Sequence, residues 1–167
     1  MGLFSKDIRS LDDLYVHTLR DIYYAEQKIT KALPDMIEKA TDEELRSGFA
    51  EHLEQTRQHI ARLEQVFSLH GIDTGGVDCP AIDGIIEETD EISGDVDDSE
   101  VLDAALIAAA QAVEHYEISR YGTLKTWAEE LGHSEAVKLL NQTLSEEKET
   151  NEKLTQIAES TVNAEAA

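Results

Sequence analysis

The chain has 167 residues, the length of one domain, and its composition, 41% hydrophobic with 30% charged residues, excludes intrinsic disorder and builds a core without disulfides or zinc. Its 36 acidic residues against 14 basic ones leave a formal charge of -22, which repels nucleic-acid backbones and anionic lipid surfaces alike. The single cysteine, Cys79, excludes an internal disulfide, and no window nears the roughly 18 uninterrupted apolar residues of a membrane span, so a reduced, cytoplasmic setting is expected.

Residues Met1 to Ser10 lack the apolar core and small-residue cleavage site of a signal peptide. From Asp7 to Lys39, Leu11, Leu14, Tyr15, Leu19, Ile22, Ile29, Leu33 and Ile37 recur at three- and four-residue steps, which predicts a first helix. Pro34 lacks an amide donor and should end or kink that helix near Leu33. Thr41 followed by Glu44 reads as a capping box for a second helix, whose face of Leu45, Phe49, Leu53, Ile60, Leu63 and Phe67 runs to a stop at Gly71. A glycine-rich stretch to Pro80 precedes a short helix over Ala81 to Ile92, within a long crossover. Asp97 is the expected cap of a third long helix reaching Leu131 and Gly132. A fourth covers Ser134 to Ser160, with a fraying tail over 162–167.

Two long helices, a crossover carrying a small helix, and two more long helices define an all-α, four-helix bundle of ferritin-like connectivity, one domain over 1–167 with its core at about 7–161. Placing side chains at about 100° per residue selects the polar groups that share the apolar faces. Glu26 lies four residues after Ile22 and three before Ile29, inside the apolar arc of the first helix. On the second, His52 and Thr56 fall on the face, His59 and Gln55 lie at its flank, and Glu51 and Glu54 turn away. On the third, Glu117 sits near the centre of the Leu106, Val113 and Leu124 face, with Glu114 one turn back at its edge. On the fourth, Glu147 lies between Leu140 and Leu154, while Glu146 points more outward.

A single inward glutamate is ordinarily a boundary residue whose charged end reaches water. Several carboxylates gathered in one low-dielectric core instead cost several kcal/mol each, or take up protons, unless a cation compensates them. Two divalent metal ions are the economical explanation, and an oxygen-rich donor set with some imidazole suits iron, with manganese as the alternative. The competing reading is a metal-free helical dimer whose inward polar groups form a hydrogen-bond network that fixes register. His17, His70, His115 and His133 read as surface or boundary residues, Cys79 as a packed thiol, the run from Glu87 to Glu100 as solvated surface, and the tyrosines and Trp127 as core packing. The acidic surface also fits a salt-rich cytoplasm, as in halophiles, where screening relieves self-repulsion.

The segments Asp21-Ile-Tyr-Tyr-Ala-Glu26, His52-Leu-Glu-Gln-Thr56, Cys79-Pro-Ala-Ile-Asp-Gly84, Glu114-His-Tyr-Glu-Ile118, Tyr121-Gly-Thr-Leu124 and Leu144-Ser-Glu-Glu147 resemble the YciE/YciF family of ferritin-like bacterial stress proteins, from Ile8 to Thr161. The resemblance implies a rubrerythrin-like bundle, homodimers and a dinuclear metal motif with Glu26, Glu114, Glu117 and Glu147 as carboxylate ligands, in agreement with the helical wheel. It implies a stress role acting on dioxygen or peroxide, or handling iron, without fixing a reaction. The second helix departs from the ferritin-like pattern of Glu-x-x-His, because Glu54 is followed three residues later by Arg57 and Glu147 precedes Thr150. His52 is the nitrogen ligand that the face argument selects there.

Overall fold

The computed structural model describes residues 8–167 and contains helices and no strands among them. Helix α1 spans Leu11–Lys39, α2 Glu43–His70, α3 Pro80–Asp95, α4 Ser99–Glu130 and α5 Ser134–Ile157. The expected start of the first helix at Asp7 lies outside the described residues; α1 begins after Ser10, whose hydroxyl accepts from the Asp13 amide. No described helix is long and apolar enough to cross a membrane.

The four long helices form the corners of a bundle in which α1 packs on α2 and α4, and α5 on α2 and α4. Short connections make α1 and α2, and likewise α4 and α5, antiparallel pairs. Asp103 near the start of α4 bonds to Thr41 and Asp42 at the end of the bundle where α1 meets α2. His133 at the start of α5 packs edge-on against His70 at the other end. Helix α2 therefore ends far from where α4 begins, and the crossover with α3 covers that distance along the α1 and α4 flank.

Several local expectations are corrected. Pro34 neither ends nor separates the helix, for α1 continues to Lys39. Pro34 is exposed, whereas Leu33, Met36 and Ala40 around it are buried, so packing of the last turns offsets the lost amide donor. Asp42, not Thr41, caps α2 by accepting from the Leu45 amide, because Thr41 is taken up by Asp103. Asp98, not Asp97, caps α4 through the amides of Glu100 and Val101. The tail is helical rather than frayed: a π-helical turn over Ala158–Val162 leads into a last turn over Asn163–Glu165, and Val162 is buried. The stops at Gly71 and Gly132 stand as read, with φ of 62° and 76°, where a Cβ would be strained. In both, the next amide returns to a carbonyl five residues back: Ile72 to Phe67 at 3.2 Å, and His133 to Ala128 at 2.8 Å.

Candidate metal centre

Midway along the bundle the apolar layers of Leu19, Ile22, Leu63, Leu124 and Leu140 give way to a layer of charged side chains. Glu26 of α1, His52 and His59 of α2, Glu114 and Glu117 of α4 and Glu147 of α5 are all buried, none more than 4% exposed. The five residues selected from the sequence are thus brought together, and His59 joins them. Burial is enforced by helical spacing: Ile22, Glu26 and Ile29, or Leu140, Thr143, Glu147 and Leu154, lie on one stripe, so packing the aliphatic neighbours carries the carboxylates inward.

The ligand atoms fall into two groups, in each of which all lie within 4.8 Å of one another. One is His52, Glu114, Glu117 and Glu147; the other is Glu26, His59 and Glu147. Glu147 belongs to both, which is the place of a bridging carboxylate. His52 Nε2 stands 3.1 Å from Glu114 Oε1, and His59 Nδ1 stands 2.9 Å from Glu147 Oε1 and 3.5 Å from Glu26 Oε1. Yet both oxygens of Glu117 and of Glu147, one each of Glu26 and Glu114, both His52 nitrogens and His59 Nδ1 lack an aligned hydrogen-bond partner. Proximity without donors is the arrangement that a cation completes.

Electrostatics point the same way. Burial raises Glu114 and Glu117 well above the ordinary carboxylate range, reinforced in both by the charge of Glu147. Burial raises Glu26 too, although His59 and a hydrogen bond from Tyr121 pull it back. Burial, then the nearby charge of His59, lowers His52 to about 4, so its imidazole is neutral at pH 7, the form that binds metal. Burial alone would lower His59 as well, but Glu147 and Glu26 outweigh it and raise it to about 11 without a bound cation. His59 and the protonated glutamates would have to give up those protons to serve as ligands, so metal binding there would release protons.

His59 is held from behind. Its Nε2 lies 2.9 Å from Glu146 Oε2, and Arg62 grips the same carboxylate through Nη1 at 2.5 Å and Nη2 at 2.9 Å. Burial would raise Glu146, but Arg62 and His59 outweigh it and hold it below its ordinary range, ionised. An ionised acceptor keeps one imidazole proton on Nε2, so the proton on Nδ1, facing Glu26 and Glu147, is the one that a bound cation would replace, as in carboxylate–histidine pairs behind metals. Glu146, read as outward from the sequence, is 22% exposed and reaches back to the site.

Two corrections concern α2. His59, placed at the flank, is fully buried, while Leu53 and Ile60, placed on the face, are only half-buried. Leu53 and Ile60 draw the apparent centre of the apolar face on the helical wheel away from His59. The spacing His52, Thr56, His59, Leu63 and Val66 carries the true face, every member being buried. Glu54 is exposed and paired with Arg57, away from the site.

The donor set fits two divalent cations: four carboxylates match their charge, and two imidazoles come from one helix at a seven-residue spacing rather than from Glu-x-x-His pairs. Residues 10–167 match the family described as Domain of unknown function (DUF892). The chain is 45% identical to Protein YciF of Escherichia coli (strain K12) over 161 residues, covering 96% of this chain and 97% of that protein. The crystal structure of the E. coli stress protein YciF superposes with a TM-score of 0.89 at 44% identity, over 93% of this chain and 99% of that one. YcfI from Rhodopseudomonas palustris superposes with a TM-score of 0.90 at 58% identity over the same shares. A Xanthomonas campestris protein at 22% identity and a TM-score of 0.72, covering 93% of this chain and 95% of that one, shares the fold. With its family match from residue 10 to its last residue and its close likeness to YciF, the chain belongs to the YciE/YciF family of DUF892 proteins.

Proposed function

We propose that this protein holds two divalent metal ions, iron by preference and manganese as the alternative, and acts on dioxygen or peroxide, or handles iron, during stress. The observation that carries the reading is the set of fully buried carboxylate oxygens without hydrogen-bond donors, divided into two groups that share Glu147. The stress connection comes from the E. coli relative, a stress protein. Glu114, Glu117 and His52 would hold one ion, Glu26 and His59 the other, with Glu147 between them. Iron or manganese bound there supplies redox and Lewis-acid chemistry that no side chain of the site offers by itself.

The chain's own residues prepare that chemistry. Tyr121 donates to Glu26 and fixes its orientation. Glu146 and Arg62 fix the His59 tautomer. The surrounding aliphatic layers lower the local dielectric, which strengthens every charge interaction inside. Elemental analysis of protein purified without chelator tests the reading: about two iron or manganese ions per folded chain are expected from a di-metal carboxylate bundle. A fully folded, homodimeric protein with no bound metal would favour the rival, in which His59 ion-pairs with Glu26 and Glu147 and the remaining glutamates are protonated.

A further inference from the structure

A cavity of about 690 Å³ opens between α1, α3 and α4 and reaches down to His52 and Glu114. Both residues are buried, and His52 Nδ1 and Glu114 Oε2 have no hydrogen-bond partner. Its walls are apolar, formed by Leu33 and Met36 of α1, Ile86 of α3, and Leu106, Ala110 and Val113 of α4. From Leu106 to Glu114 the lining of α4 advances eight residues, roughly 12 Å along the helix. Dioxygen or peroxide needs only a narrow passage, whereas a cavity between about 300 and 1,000 Å³ is the size that encloses an organic ligand.

The mouth carries three lysines of α1. Lys28 is engaged by Asp83 at 2.9 Å and Lys39 by Asp35 at 2.7 Å. Lys31 is exposed and has no ion-pair or hydrogen-bond partner among the described residues. Asp35 and Asp90 are the acids on this rim, and the hydroxyls of Thr89 and Ser93 donate to carbonyls of their own helix at 2.7 and 2.6 Å. In a chain of charge -22, the rim thus keeps Lys31 as an uncommitted cation above an elongated cleft with apolar walls.

We propose that this cavity binds an amphipathic monocarboxylate, with its alkyl chain along the aliphatic walls and its carboxylate at Lys31. The reverse orientation, head group inward, is disfavoured because the four glutamates of the centre already balance two divalent cations and a fifth carboxylate would be in excess. The cavity assignment stands on its own walls and rim. The exclusion of the reverse orientation, and the consequence that the far end of the chain lies against the metal centre, rest on the di-metal reading.

Titration calorimetry with decanoate and 1-decanol, on protein whose metal content is measured in the same sample, tests this. Saturable binding of one decanoate per chain is expected. Lys31→Glu should weaken decanoate by about tenfold, since it replaces an attraction by a repulsion of similar size, and leave 1-decanol unchanged. Ala109→Phe, filling the cleft from α4, should weaken both by at least about tenfold, and Ser93→Phe, filling it from α3, serves where the first variant does not fold. Absence of saturable decanoate binding, or blocked variants that bind as the parent does, would overturn the site. A Lys31→Glu protein that keeps full decanoate affinity would overturn the carboxylate orientation. Metal-replete protein that takes up no decanoate sinks this proposal and spares the metal reading, while metal-free protein that binds decanoate does the reverse.

Discussion

Two buried acidic regions of this bundle are treated in opposite ways. Near one end, Asp103 is 3% exposed and accepts three hydrogen bonds, from the Thr41 amide at 2.8 Å, the Thr41 hydroxyl at 2.7 Å and the Asp42 amide at 2.8 Å. It closes the α1–α2 corner against α4. Further along the same helix, Glu114 and Glu117 are buried as deeply, and three of their four oxygens face no aligned donor. A helical bundle is evidently able to satisfy a buried carboxylate with backbone amides and a hydroxyl. Where it supplies none, and gathers four carboxylates and two imidazoles in one layer, the arrangement is one that could hold a cation.

The largest expected effect breaks the centre outright. Substituting alanine for both Glu26 and Glu147 removes the carboxylate common to both ligand groups and one that belongs to a single group, and should reduce bound iron or manganese from about two ions per chain to none in elemental analysis. Full metal content in that double variant would show that the ligands lie elsewhere. Next in size is the structural carboxylate. Asp103→Ala strands two amides and a hydroxyl and should cost about 3 kcal/mol of unfolding free energy, with metal content unchanged. If that variant instead loses metal, the two regions are not separate and the contrast between them fails.

A third test asks whether the glutamates of the centre burden the protein when no metal is present. Burial, with the charge of Glu147, raises Glu117 well above its ordinary range in the folded state, while in the unfolded chain it titrates near about 4.3. A carboxyl with a raised folded value favours folding below its unfolded pKa, and that contribution is lost as pH rises towards the folded one. Metal-free protein should therefore lose stability from Glu117 on going from about pH 4.5 upward, whereas Glu117→Gln does not carry that term. Chelator-treated Glu117→Gln should gain stability relative to the chelator-treated parent as pH rises from about 4.5 to 8, since only the parent must keep a proton on this side chain. A stability difference independent of pH would mean that Glu117 is not the titrating group.

Most of the bundle is legible from periodicity, because an apolar stripe repeated over seven or more turns is a long-range signal. The stops at Gly71 and Gly132 are legible for a different reason, since only glycine takes a positive φ cheaply. Boundaries set by tertiary contact are not. Thr41 has the chemistry of a cap, but Asp103, sixty-two residues on, claims it and leaves the role to Asp42. Pro34 has the chemistry of a stop, but buried Leu33 and Met36 hold the helix beyond it. The carboxylates of the site are legible because Glu26, Glu117 and Glu147 lie centrally on strongly apolar faces. His59 is not, because α2 has half-buried aliphatics at Leu53 and Ile60 that blur the centre of its stripe. The pairing of Glu146 with Arg62 behind it depends on two helices meeting, which no single-helix pattern contains.

The smallest expected effects sharpen the comparison within α2 itself, where a buried imidazole pair and an exposed carboxylate lie within two turns of each other. His52 and His59 are seven residues apart on one face and belong to different ligand groups. Glu54, the residue at which a Glu-x-x-His motif would begin, has a side chain 63% exposed and ion-pairs with Arg57. Turning Glu54 inward would rotate both histidines out of the core and with them Thr56 and Leu63, each now buried. Such a rotation forfeits more aliphatic burial, about 1.5–3 kcal/mol for one leucine, than a single ligand exchange returns. His52→Ala and His59→Ala should each weaken metal binding by about tenfold or more, and each on one of the two sites, so that titration of either variant resolves one strong and one weakened ion. Glu54→Ala should titrate as the parent does. The reverse ranking, with Glu54→Ala weakened and the histidine variants unchanged, would require α2 to be rotated about its axis and would put the ordinary ferritin-like ligand set in place of the histidine pair.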